Sequence, residues 1–290
     1  MAIELSCADY TWPAAPHTTA LDLISGLGFA AVDLGYFTGR SHVRPEDVGA
    51  EIAQHAGRVA ERCAERGLAV ADVFAQTAGF EDAAVNHPDP AERERSLEFF
   101  DRALEFARRV GSPGMTILPG VVFGGEPWED AAGRAAEGLR IRIDRAAEAG
   151  LRLSVEPHQG SFIDTPELTA RFLEMVPDLR LTLDYGHFVF GGSSDDDIEP
   201  LLPAAGHVQC RGGRPGTLQA DMRANTIDFP RMVRGLAATG YQGFLATEYV
   251  WSEWHRCNEV DNLTETVELR DVLGRALDDV AATASSPAGA

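Results

Sequence analysis

A chain of 290 residues, 44% of them hydrophobic, holds enough apolar side chain for a large core, built as one big domain or two small ones. Its 45 acidic residues against 25 basic ones leave a formal charge of −20. That balance argues against a nucleic-acid partner and against an anionic membrane surface, since both are gripped by clustered Lys and Arg.

Strand-like runs fall at 3–7, 31–34, 69–74, 115–118, 151–156, 181–184, 207–210 and 244–248. Between them lie segments with helical spacing. A proline opens the one at 45–66, Leu97, Phe100, Leu104 and Ala107 line the one at 90–110, and Ala135, Leu139, Ile143 and Ala146 line the one at 128–149; another covers 228–238. ERGLAV, EAGLRL and ATGYQGF each end a helix on glycine and feed the next strand at once. This alternation predicts an α/β fold, a closed parallel (β/α)8 TIM barrel, with a doubly wound open sheet as competitor. An open sheet usually carries a Gly-rich phosphate turn after its first strand, and ADYTWPAAP lacks one. GVVFGGEP and FGGSSDDD have no phosphate-loop spacing and read as ordinary loops, and Asp195, Asp196 and Asp197 read as a solvated helix start. A single barrel domain is expected over 1–282, followed by a disordered tail at 283–290. Four dispersed cysteines without a CxxC pair, no charged-then-apolar leader and no apolar run of about 18 residues suggest a soluble cytoplasmic protein with reduced thiols.

In a parallel barrel the C-terminal strand ends share one face, so what each strand ends in matters. The last four end at Glu156, Asp184, near Gln209, and at Glu248. Any one of these is readily a first solvated residue. Three carboxylates converging without a cation would repel each other, whereas a divalent metal would reconcile them. Two Glu, one Asp and an amide oxygen form a hard set suited to Mn²⁺ or Mg²⁺, with Co²⁺ possible and zinc less suited. In SVEPHQGS, His158 follows Glu156 by two and shares its face if the strand persists through Pro157. It is a candidate base, with a structural histidine as the alternative. Arg211 alternates with Gln209 and should point inward, while Arg214 lies in the turn; each is either a substrate-binding residue or a solvated surface arginine. Trp251 and Trp254 either wall a pocket or cover a subunit contact.

VEPHQGS, LTLDYGH, HVQCRGGRPG and ATEYVW, in that order, resemble the xylose isomerase-like barrel superfamily of sugar isomerases, epimerases, dehydratases and endonuclease IV relatives. The likeness is concentrated in 151–270. It implies Glu156, Asp184, Gln209 and Glu248 as metal ligands, Glu156 and Glu248 as the proton-transferring pair, and His187 as the group that holds a substrate oxygen. Many relatives carry His where this chain has Gln209; glutamine there, with a Pro-Gly-Arg loop nearby, resembles the hydroxypyruvate isomerase branch. EPHxGS with DTPE, RGGRPG…LQ, and YVW…CNEVDN…ETVELRD also resemble catalytic subunits of C-glycoside deglycosylases, in which a histidine base acts on 3-keto sugars. The resemblance therefore implies isomerisation or epimerisation of a small polyhydroxy or keto sugar, with a metal-dependent lyase using His158 as the alternative. A homo-oligomer and a small accessory subunit are the partners it suggests. A barrel that only binds a ligand or a subunit is the reading from another class, and an endonuclease is disfavoured by the charge.

Overall fold

The computed structural model describes residues 3–285. Eight strands, β1 (Glu4–Ala8), β2 (Ala31–Phe37), β3 (Ala69–Gln76), β4 (Gly114–Ile117), β5 (Arg152–Val155), β6 (Arg180–Asp184), β7 (Ala205–Cys210) and β8 (Phe244–Thr247), form a closed barrel in sequence order. Every pairing is parallel, including the one from β8 back to β1 that closes the ring. Closure in consecutive order rules out the doubly wound sheet.

Among the described residues ten α-helices surround or cap the barrel: α1 (His17–Gly26), α2 (Pro45–Val48), α3 (Ile52–Ala64), α4 (Pro90–Arg109), α5 (Trp128–Glu148), α6 (Pro166–Met175), α7 (Tyr185–Phe190), α8 (Asp195–Ile198), α9 (Phe229–Ala238) and α10 (Asn262–Ser285). Local chemistry fixes their starts. The Asp89, Thr165 and Asp228 side chains each accept a backbone N–H of the first turn of α4, α6 and α9, next to a proline that needs no donor partner there. The helix expected over 45–66 is broken into α2 and α3, because Gly49 turns the chain at φ 53°. α10 runs to Ser285, and of the expected tail residues 286–290 lie outside the described residues. No helix among the described residues is long and apolar enough to cross a membrane, and all four cysteines are buried and unpaired.

Strands β4, β5 and β8 end one residue earlier than the sequence suggested, at Ile117, Val155 and Thr247, the last two just before a carboxylate. The ladder still reaches the next residue: Glu156 N–H donates to Ile117 O at 3.1 Å and Glu248 N–H to Cys210 O at 2.8 Å. Both carboxylates therefore leave from backbone held by the barrel rather than from loose loop. Below them the barrel interior is polar. His207 meets Asp33 at 2.5 Å, Ser6 donates to Asp33 at 2.7 Å, and Thr116 donates to Asp72 at 2.6 Å, all buried. Each of these groups finds a partner in the layer, which is what permits their burial.

The loop after β4 is set by a close approach. Gly120 has φ 103°, and a Cβ there would stand 2.1 Å from Asn86 Oδ1. Asn86 cannot retreat, because its amide donates to Val121 O at 2.7 Å and accepts from Val121 N–H at 3.3 Å. Gly120→Ala should therefore cost about 2–4 kcal/mol, combining left-handed strain with a disrupted buried amide. Urea unfolding monitored by tryptophan fluorescence measures it; a loss under 1 kcal/mol would mean that Asn86 is free to move.

Candidate active site

The C-terminal mouth of the barrel opens on a cavity of about 320 Å³, lined by Glu156, His158, His187, Arg211, Glu248 and a set of aromatic side chains. Its floor is ionic. Glu156, Asp184 and Glu248 are buried, and one oxygen from each lies within 4.8 Å of the others. Arg211 is threaded among them: its Nε donates to Asp184 Oδ2 at 2.7 Å and its Nη2 to Glu248 Oε2 at 2.8 Å. Asp184 also accepts Gly186 N–H at 2.8 Å as the cap of α7, so its rotamer is fixed.

Fully ionised, the three carboxylates would exceed the one guanidinium bonded to them by two negative charges, out of contact with water. The consequence shows in the acidities. Burial, reinforced by Asp184, pushes Glu156 up to about 8. Burial lifts Glu248 well above the usual carboxylate range, even though Arg211 pulls the other way. Two buried oxygens, Glu156 Oε1 and Gln209 Oε1, have no hydrogen-bond partner. Gln209 is oriented by Nε2, which donates to Tyr10 Oη at 2.8 Å, and this leaves the amide oxygen as the free atom. Three carboxylates whose joint ionisation is penalised by burial, two unsatisfied oxygens and a hard donor set all fit a divalent cation. Glu156 also forms a second group with His158 and His187, so nitrogen donors border the oxygen set.

His187 Nδ1 lies 3.2 Å from the Gln159 N–H, and its Nε2 lies 3.2 Å from Arg211 Nη2 and 3.5 Å from Glu156 Oε1. Burial holds this imidazole down at about 3, against the pull of Asp184, and it is neutral at physiological pH. His158 is also neutral, held well below its ordinary value by burial and by the neighbouring His187. Although β5 ends before Pro157, His158 reaches the same cavity as Glu156. It stacks on Trp254 (4.9 Å, 16°) and meets the edge of Phe80 at 4.5 Å.

Seven of the eight residues singled out in the sequence thus gather here: Glu156, His158, Asp184, His187, Gln209, Arg211 and Glu248. The eighth, Arg214, is placed elsewhere. It is exposed in a tight turn, where its N–H bonds Thr217 O at 3.1 Å, and it does not line the cavity. Its carbonyl and amide are used to close that turn, which aims the side chain outward. Arg211 is not a solvated surface arginine, being only 5% exposed. Of the two tryptophans, Trp254 walls the cavity and Trp251 is 51% exposed outside it.

Trp254 rides on a strained loop. His255 and Arg256, neither of them glycine, have φ of 50° and 60°. The strain is held by His255 Nε2 against Gln159 Oε1 at 3.0 Å and by Gln219, which is buried and ties both stems of the loop. Its amide donates to Val250 O (3.0 Å) and Cys257 O (2.9 Å) and accepts Val250 N–H (2.8 Å). Gln219→Leu should raise amide hydrogen-exchange rates across 250–257 by about 10–100-fold, the effect of losing about 1–3 kcal/mol of buried hydrogen bonding. Unchanged exchange would show that the loop is held by packing alone.

The remaining walls come from the first half of the chain. Tyr10, Phe37, Arg40, Gln76 and Phe80 all line the cavity, and sequence reasoning named none of them. Arg40 lies over the Phe37 ring at 4.9 Å and donates to Gln76 Oε1. Phe37 and Gln76 belong to strand ends that run past the expected limits at 34 and 74. Counting β2 and β3 two or three residues longer would have exposed them.

The family described as "Xylose isomerase-like TIM barrel" matches the chain over residues 21–274. A putative hydroxypyruvate isomerase from Mus musculus is 28% identical over 205 residues, covering 60% of this chain and 72% of the relative. Among solved structures, that of L-ribulose 3-epimerase superposes with a TM-score of 0.78 at 21% identity over 100% of both chains. A 3-keto-D-glucoside 4-epimerase from E. coli superposes with a TM-score of 0.65 at 18% identity, over 94% of this chain and 98% of the other.

Proposed function

Because the chain belongs to the xylose isomerase-like TIM barrel family, we propose that it is a divalent-metal-dependent sugar isomerase or epimerase that transfers a proton next to a carbonyl. The observation that carries this reading is the pair Glu156 and Glu248: two buried carboxylates, rooted on different strands, bordering one cavity of monosaccharide size. Either takes the proton from the carbon between carbonyl and hydroxyl, and the other returns it to the neighbouring carbon or to the opposite face, through an enediolate. A divalent ion held by Glu156, Asp184, Gln209 and Glu248, with Mn²⁺ or Mg²⁺ best suited to these oxygens, would supply electrophilic stabilisation of the developing negative charge. His187, a neutral imidazole at the cavity, holds a substrate oxygen. Arg211 fixes Asp184 and Glu248 in place, and the aromatic walls exclude water. The kinship with isomerases and 3-epimerases supports the reaction class. The test is a panel of keto sugars in deuterated buffer with the Mn²⁺-loaded protein; deuterium entering substrate carbon supports the reading, and none entering any of them refutes it.

A second reading, elimination from a 3-keto glycoside, is favoured by His158: a neutral, buried imidazole clamped by Trp254 at the cavity wall and free to act as base. His158→Ala separates the two. If deuterium exchange into a 3-keto glycoside and product release both fall by about 10²–10⁴-fold while exchange into keto sugars continues, elimination with His158 as base is supported. If both continue at wild-type rates, His158 is structural.

A further inference from the structure

Beside the active cavity lies a second, smaller one of about 50 Å³, at the ends of β3 and β4 beneath the loop after β3. It belongs to a different set of side chains: Ser96 and Phe100 of α4, Arg142 of α5, and Gly120, with Gln76 and Phe80 shared between the two. Arg142 is the odd member. It is 3% exposed, yet no ion pair to it occurs among the described residues, and none of the residues lining the cavity is acidic. Its bonds go to neutral oxygens, Gly138 O and Ser96 Oγ, both at 2.9 Å, and its guanidinium stands 5.4 Å from the Phe100 ring centre. Asp101, whose charge reaches it, is committed to Arg145. A buried guanidinium cannot shed its proton, so its charge needs a counterion.

We propose that this cavity is a binding site for one small inorganic anion of chloride size, held by Arg142, Ser96 and Gln76. All three line it and carry polar hydrogens. Arg142 keeps N–H groups beyond the two used. Ser96 Oγ accepts from Arg142, which leaves its own O–H to donate. Gln76 Oε1 is occupied by Arg40, so the amide has only its NH₂ to offer. A buried cation beside a lining without any acid suits an anion and not a metal. A water molecule would satisfy one donor and leave the charge uncompensated. The small volume suits an ion of one or a few atoms rather than a sugar-sized ligand. Burial holds Arg142 down at about 10, in keeping with a cation that no protein acid neutralises. Through Gln76 and Arg40, both of which line the large cavity, the anion steadies one wall of the active site.

Crystals of the full chain soaked in sodium bromide should show an anomalous peak within hydrogen-bonding distance of Arg142 and Ser96. In solution, the melting temperature should rise to a plateau as chloride replaces methanesulfonate at constant ionic strength. Arg142→Met should lose that response, and Ser96→Ala should move its midpoint about tenfold higher, the equivalent of about 1.4 kcal/mol. Should Arg142→Met fail to fold, the bromide map and the serine variant still decide. A bromide-soaked crystal with no peak in the cavity, or a chloride response in Ser96→Ala identical to wild type, overturns the assignment.

Discussion

Glu156→Gln and Glu248→Gln should each fold and each lose turnover by at least about 10³-fold, with bound divalent metal falling from one per chain to a small fraction. The substitution keeps shape and removes one charge, so packing around the barrel mouth is preserved. Function suffers twice, because the proton-transferring group and a proposed ligand are the same atom set. General acid–base catalysis alone accounts for about 10²–10⁴-fold. Stability of the metal-free protein should move in the opposite direction. Glu156 is held up at about 8 by burial and by Asp184, against an ordinary value of 4.5. A raised carboxylate stabilises the fold most below its unfolded value and loses that contribution as pH climbs through the folded value. Metal-free wild type should therefore weaken between about pH 4.5 and 8, and Glu156→Gln should weaken less over the same window. Metal analysis, calorimetry across pH and deuterium exchange together measure this. Wild-type activity in both variants would refute the assignment of the pair.

The second half of the chain announced its site because strands β5 to β8 are short and each is followed at once by its chemistry. An apolar run that stops on Glu, Asp or Gln is visible in one dimension, and barrel geometry converts four such stops into one locus. What could not be read is how side chains from different strands divide the space. Whether Arg211 was buried or solvated was open, since alternation gives a direction and no distance. Arg214, three residues on, looked equivalent, yet the turn that follows β7 sends it away. The first half hid its contribution for another reason. Tyr10, Phe37 and Gln76 continue strands or enter a 3-10 turn without any change of composition, so nothing local marks them as walls. Gln219 stood in a recognised motif without a role; only the loop it ties, whose stems are Val250 and Cys257, reveals one.

Arg211→Met should destabilise the metal-free protein by about 3–5 kcal/mol, the largest stability loss expected for any residue at the mouth. Arg211 is the buried cation bonded directly to Asp184 and Glu248, with the His187 ring 3.2 Å from its guanidinium. Deleting it does not merely break ion pairs. It leaves three carboxylates sharing a dry site, and an uncompensated buried charge costs far more than a surface pair returns. Saturating Mn²⁺ should recover part of the loss, about 2.7 kcal/mol when present at 100 times its dissociation constant, because the ion neutralises the same oxygens. Arg211→Lys separates charge from shape: a point charge cannot hold Asp184 and Glu248 with a fork, so stability should fall less than in the Met variant while turnover falls nearly as far. Chemical denaturation with and without Mn²⁺ reads both effects. A metal-free Arg211→Met protein as stable as wild type would mean that Arg211 is not what holds these carboxylates together, and its electrostatic role at this mouth would fall.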